Sequence, residues 1–358
     1  MALVPHGGLS SVESDERLGS NVDRAEESGG DMAKATVDIG VIKSAVSLAC
    51  RAPSLHNSQP WRWVADGAAL DLFADPDHIR SAADRSGREV FISCGVVCDH
   101  LAVAMAAAGW QAHINRFPNP NDPAHLASID FSALGFVTDA QRDRAGAILQ
   151  RRTDRLPFAA PANWAAFEPV LRAAVDSQVA MLDVIADNVR HRLADASRLT
   201  ETLRRYDASY HAELAWWTSR ADAPEGVPTA ALVSETEAHR VDVGRHFPPG
   251  GHGARRPEID RDHSKILVLS THDDTRSNAV GCGEVLSTVL LEATMAGLAT
   301  CTLTHMIEIA HSRAIVGELT RSHGFPQVLI RVGAAPDPES RPTPTPRRPL
   351  PDVLEIRA

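Results

Sequence analysis

Arg151-Arg152-Thr153-Asp154-Arg155 places three arginines within five residues at the end of a helical pattern, just ahead of Pro157. Paired guanidinium N–H groups match two phosphate oxygens, and a threonine hydroxyl adds a neutral donor, so the run suits a phosphate ester. Cations are also favourable at a helix C-terminus, and residue type alone leaves that plainer reading open. A second run, Ala52-Pro53-Ser54-Leu55-His56-Asn57-Ser58-Gln59-Pro60-Trp61, leaves a helix and enters a strand. Its prolines fix φ while Ser, Asn and Gln supply small polar groups, which lets the backbone pass a flat heterocycle and hydrogen-bond its edge. A capped, proline-bounded helix-to-strand turn is the alternative. Arg347-Arg348 forms a second local positive pair, which by itself reads as a solvated tail.

Other groupings carry less chemistry. His246, His252 and His263 lack metal-ligand spacing and have no accompanying cysteine, so no metal site is expected. Cys94 and Cys98 share one helical face in an apolar setting, as inert thiols do. Gly281-Cys282-Gly283 lacks the third glycine of a dinucleotide fingerprint. No side chain stands out as a catalytic acid, base or nucleophile.

The elements that must position these residues form a weak internal repeat. Cys94-Gly95-Val96-Val97 through Ala108-Gly109 aligns without gaps on Cys282-Gly283-Glu284-Val285 through Ala296-Gly297, at an offset of 188 residues. Both copies read as apolar helices closed by Ala-Gly, where glycine takes the left-handed conformation, and strand-like residues 111–117 and 299–304 follow. Further strands are predicted at 61–64 and 70–74 around Asp66-Gly67, and at 126–131, 179–185, 265–270 and 327–332. Helical patterns cover 37–50, 139–151, 164–176, 188–214 and 309–320. Strands interleaved with helices predict a layered α+β body.

Three segments depart from this pattern. Residues 1–35 lack a periodic apolar face and are expected to form a disordered tail, with Met32 directly ahead of the first patterned segment. Residues 206–263, with Trp216-Trp217 early and Pro248-Pro249-Gly250-Gly251 late, read as a lid, or as a plain surface excursion. Adjacent tryptophans point to different helix faces, which favours helix core for this pair over stacking in the lid. Residues 336–358 begin with a proline-rich run expected to cross the surface before a last apolar segment at 353–356.

With 44% hydrophobic residues and a net charge of −10, the chain has a sizeable core and a field that repels polyanions, so no nucleic-acid partner is expected. Asp99, His100 and Glu292 interrupt the longest apolar stretches, and no membrane span is expected either. Five cysteines without a C-x-x-C pair read as buried thiols in a reducing compartment. The N-terminus lacks a secretory layout, and a cytoplasmic location is expected.

The Pro53-Ser54-x-x-Asn57-Ser58-Gln59-Pro60-Trp61 run resembles the flavin-contacting segment of nitroreductases that use flavin mononucleotide (FMN). Arg151-Arg152-Thr153-x-Arg155 resembles their Arg-Arg-Ser-x-Arg phosphate-binding start. From about residue 37 to 358 the chain is most similar to the Acg-like nitroreductase-fold proteins of mycobacteria, which are associated with dormancy and redox stress. In that fold two subunits clasp each other and share each flavin. The resemblance implies two tandem nitroreductase-like halves, 36–138 and 139–335, that mimic the dimer within one chain, as a monomer or weak homodimer.

One FMN per chain is then implied, held by Pro53, Ser54, Leu55, Asn57 and Gln59 from the first half and by Arg151, Thr153 and Arg155 from the second. Arg347 and Arg348 resemble the family's C-terminal phosphate contact, and Thr304 and His305 fall where backbone groups approach flavin N5. The implied partners are small molecules: NAD(P)H as electron donor and a nitro- or quinone-type acceptor. A lid at 206–263 longer than that of a minimal nitroreductase supports a second reading, an FMN-storing protein whose flavin is covered.

Overall fold

The computed structural model describes residues 36–75, 82–219, 223–250, 253–336 and 343–357, so the expected tail at 1–35 lies outside the described residues. Two sheets pack on a pair of long central helices. The first sheet has the order β3-β4-β2-β1-β9, from Trp110–Arg116, His125–Ala133, Ala69–Ala74, Trp61–Asp66 and Leu354–Arg357. The second has the order β5-β6-β8-β7, from Met181–Val184, Lys265–Thr271, Phe325–Gly333 and Ala299–Leu303. Gly67 takes φ 58°, the left-handed value that a two-residue hairpin loop demands at its first position, and so joins β1 to β2.

Burial distinguishes the sheets. Along β2 buried and half-buried residues alternate, as in a strand with one covered face. In β6 and β8 nearly every residue is buried: Leu267 and Leu269 join the core around the central helices, while Ile266 and Val268 join a second cluster with Phe158, Leu193 and Val316. The run Ile266-Leu267-Val268-Leu269 is continuous rather than alternating because both of its faces are covered.

The central pair is α2 (Arg88–Ala107) and α8 (Arg276–Met295), the two copies of the repeat. They cross at Gly95 and Gly283, each so close to the other helix that a Cβ would stand 2.0 Å from the Val280 carbonyl oxygen or 2.1 Å from that of Ile92. The offset of the repeat is therefore the spacing of residues that meet in space. Ser287 Oγ donates to Asp99 Oδ2 at 2.5 Å, a second contact between residues related by the same offset. Gly109 and Gly297 end the helices at φ 88° and 73° and release β3 and β7. By length and composition α2 could cross a bilayer, but here it is mostly buried, against α8, α1 (Ile39–Ala49) and α3 (Asp139–Gln150).

Two elements differ from the sequence expectation. The pattern at 188–214 predicts one helix, and the chain forms two, α5 (Arg190–Arg204) and α6 (Ala208–Ser219). Asp207 makes the break: its carboxylate accepts from Tyr210 N at 3.1 Å and from Arg204 at 3.0 Å, capping a new helix. The last apolar segment, not assigned to an element from the sequence, forms a strand. Residues 350–353 turn once, burying Val353, and β9 then pairs in parallel with β1, so the end of the chain completes the first sheet.

Candidate functional site

A cavity opens where segments from both parts of the chain converge. Its floor is the first turns of α2, with Glu89, Ile92, Ser93 and Val96, and Leu286 of α8. Pro53, Ser54, Leu55 and His56 form one wall, and Thr153, Arg155 and residues 301–304 form another. The 206–263 segment covers it with Val233, Ala238, Val241, Arg245 and Phe247.

The Pro53 wall is strained. His56, Asn57 and Gln59 take φ of 51°, 60° and 53°, a left-handed conformation that costs non-glycine residues about 1–3 kcal/mol each. Local bonds hold it: Ser54 Oγ accepts from Gln59 N at 2.9 Å, and Ser93 Oγ accepts from Leu55 N at 3.2 Å. Opposite, the arginine run lies along β7, where Thr153 bridges Thr300 and Asp154 N donates to Thr300 O at 2.9 Å. Asp154 is engaged by Arg256 at 2.5 Å, which leaves Arg155 free of any hydrogen bond or ion pair among the described residues. Arg155 lies over the Phe247 ring at 5.1 Å and lines the cavity; burial lowers its pKa.

Thr153 also leads to a second feature. Arg151 and Arg347 both converge on the carbonyl of Arg51, at 3.5 and 3.0 Å, and Arg347 donates further to Cys50 O at 3.0 Å. None of these three arginines forms an ion pair with a carboxylate among the described residues, and Arg151 Nε is buried without an acceptor. Burial, then the neighbouring guanidiniums, lower the pKa of Arg151 to about 10 and of Arg347 to about 9. Three guanidiniums, Arg151 buried and Arg51 and Arg347 half-buried, thus cluster without a carboxylate partner among the described residues.

Of the remaining sequence candidates, Thr304 alone lines the cavity. The Asn57 and Gln59 amides donate to Pro224 O at 3.2 and 2.9 Å, and Gln59 Oε1 accepts from Arg348 N at 2.8 Å. Arg348 pairs with Asp75 at 3.1 Å. These three brace the turn against the C-terminal run, and their side chains do not line the cavity. Thr304 lines it, whereas His305 is buried behind it against Ser197 Oγ at 2.9 Å, its pKa lowered well below 6.5 by burial and by Arg245.

The lid is pinned. Arg245 is paired with buried Glu308, donates to Thr304 Oγ1 at 3.0 Å and to Tyr210 Oη at 3.1 Å. Arg255 braces the segment internally, on Glu237 at 2.8 Å and Leu232 O at 2.5 Å. Of the tryptophan pair, Trp217 is buried, 6.1 Å from the His56 ring, and Trp216 is exposed. His56 is kept neutral, its pKa well below 6.5 through burial, Arg245 and Arg155.

Sequence reasoning missed Arg51, His56, Glu89, Arg245 and Phe247 as site residues. Arg51 directly precedes the Pro53 run, yet one arginine at a helix end is ordinary, and Glu89 in a first helical turn reads as a dipole complement. Among the described residues no cluster of His, Cys, Asp and Glu has the makings of a metal site.

No family model matches the chain. It is 57% identical over 322 residues to "Putative NAD(P)H nitroreductase acg" of Mycobacterium tuberculosis, covering 90% of this chain and 97% of that protein. It is 59% identical over 321 residues to the uncharacterized protein Rv3127 of the same organism, covering 88% and 93%. Among solved structures, the FMN-dependent nitroreductase NfnB of Mycobacterium smegmatis in complex with NADPH gives a TM-score of 0.40 at 17% identity, covering 62% of this chain and 100% of that one. That structural likeness is too slight to carry a conclusion; the sequence relatives are not. Two tandem α+β halves crossed at their central helices make this a protein of the nitroreductase fold. The chain belongs to the mycobacterial family of Acg.

Proposed function

We propose that the chain binds one FMN and transfers electrons from NAD(P)H to a small nitro- or quinone-type acceptor. The observation that carries this is the cluster of Arg51, Arg151 and Arg347, which has no carboxylate partner among the described residues and lies two residues along the chain from Pro53 and Thr153 of a covered cavity. A phosphate there would satisfy the orphaned Arg151 Nε and offset the clustered cations, each charged hydrogen bond contributing about 1.5–3 kcal/mol. The chemistry that the bound flavin supplies is hydride transfer between a nicotinamide and an acceptor.

The protein's own groups position and tune it. Thr153 would add a neutral donor from the cavity wall, and Arg155, without a carboxylate partner among the described residues, would favour negative charge on a flavin held there. Pro53, Ser54 and Leu55 supply a rigid wall along the opposite edge. Val233, Val241 and Phe247 of the lid exclude water. Two halves that already complete one site support a monomer, and five buried thiols support a reducing, cytoplasmic setting.

Titrating the apoprotein with FMN and with riboflavin tests the reading: tight uptake of one FMN per chain and weak uptake of riboflavin are expected. Failure to take up FMN would reject it. The Arg245–Glu308 pin on the lid favours a second reading, in which the flavin is held rather than turned over. Anaerobic NADH or NADPH separates the two, since rapid bleaching of the flavin indicates turnover and bleaching by dithionite alone indicates storage.

A further inference from the structure

Glu89 is 2% exposed in the first turn of α2, where its carboxyl lies beside that of Asp84. The Arg88 guanidinium is 3.7 Å away, beyond hydrogen-bonding distance, and donates instead to Ile307 O at 3.0 Å. The other titratable groups facing it are Asp84 from the preceding turn, Glu308 from beyond β7 and Arg245 from the lid. Arg245 and Arg204 are both directed at Glu308. Burial first, then the hydrogen bond and charge of the adjacent Asp84 carboxyl, raise the Glu89 pKa well above 4.5.

Helix capping does not account for this residue. Asp84 already serves the N-terminus of α2, accepting from Val90 N at 3.0 Å. A buried carboxyl is costly, and its placement is specific: Glu89 lines the inner cavity and also an outer pocket that opens at the surface beside Arg313 and Phe325.

We propose that Glu89 is the proton donor to the acceptor reduced in the inner cavity, and that it is reloaded from water through the outer pocket. This rests on the flavin reading above. With p-benzoquinone as acceptor, the chemistry the bound reduced flavin would supply is donation of a hydride, carrying two electrons, to one quinone oxygen, which would oxidise the flavin and reduce the quinone. The Glu89 O–H bond breaks, and its proton goes to the second oxygen. Hydroquinone forms, and the Glu89 carboxylate takes a proton from solvent.

The test uses the FMN-loaded protein, reduced anaerobically by dithionite and mixed with p-benzoquinone or with ferricyanide, which takes electrons without a proton. Glu89→Gln keeps the volume and removes the acid. Reoxidation by quinone is expected to slow about a hundredfold while that by ferricyanide stays within about threefold. Equal slowing with both oxidants, or none with quinone, would overturn the proposal. An infrared spectrum of the wild-type protein labelled with carbon-13 glutamate gives a readout apart from turnover and serves should the variant not fold. A protonated glutamic acid band is expected near neutral pH, and its absence would overturn the proposal too. Failure of the wild-type apoprotein to take FMN sinks the cofactor reading, whereas normal FMN uptake with an unselective variant sinks only the role of Glu89.

Discussion

Gly95 of α2 and Gly283 of α8 face each other across the helix crossing, and a Cβ added to either would stand 2.9 Å from the Cα of the other. The nearest atoms are backbone, which a rotamer change cannot move. Alanine at either position gains up to about 1 kcal/mol of helix propensity, but forced separation of the helices costs about 1–3 kcal/mol or more. Gly95→Ala and Gly283→Ala are therefore expected to destabilise the protein despite being better helix formers. Urea denaturation of each variant decides it; unchanged midpoints would mean that the crossing gives way.

Arg151→Ala and Arg347→Ala are expected to weaken FMN binding by about 1.5–3 kcal/mol each, through loss of a charged phosphate contact. Riboflavin, which carries no phosphate, should bind each variant as it binds the wild type. Fluorescence titration with both flavins checks this, and equal loss for both would assign the arginines to the fold.

Arg245 holds the lid on Thr304 and Glu308. Replacing one partner of a buried pair costs about 3–5 kcal/mol, and Arg204, 3.5 Å from Glu308, offsets part of that. In Arg245→Met, amides of residues 239–250 should exchange faster with solvent, and flavin reduction by NADPH should quicken. Unchanged exchange would show that Arg255 and the apolar lining suffice to close the lid.

Asp262 is buried between Arg331 at 2.6 Å and Arg190 at 2.6 Å. Burial raises its pKa, but Arg331 and the remaining donors outweigh that and hold it at about 2, below its ordinary 3.8. A depressed carboxyl pKa stabilises the fold above the unfolded value and ceases to do so as pH falls through the folded one. About 2 kcal/mol is thus expected to be present above pH 4 and lost on approaching pH 2. Thermal denaturation from pH 5 to 2 should show this loss in the wild type and a flatter dependence, from a lower starting stability, in Asp262→Asn.

Much of the architecture was legible because it rests on local pattern. The offset between the Cys94 and Cys282 segments identified the two helices that meet at Gly95 and Gly283, since a close crossing requires small residues at matching places. The 188–214 pattern was misread as one helix because Asp207 is unremarkable in a polar helix until its carboxylate is seen to cap Tyr210 N. The C-terminal strand was hidden because its four residues gain their place from β1, far away in sequence.

The sequence by itself determined the kind of chemistry available, a polar proline-bounded turn and an arginine cluster, because donor type and backbone restriction belong to individual residues. Tertiary structure alone decided which arginines remain available. Asp154 is matched with Arg256 and Asp75 with Arg348, whereas Arg51, Arg151 and Arg347 have no carboxylate partner among the described residues. Charge compensation depends on distances of a few ångströms between segments up to about three hundred residues apart, and no local pattern encodes them.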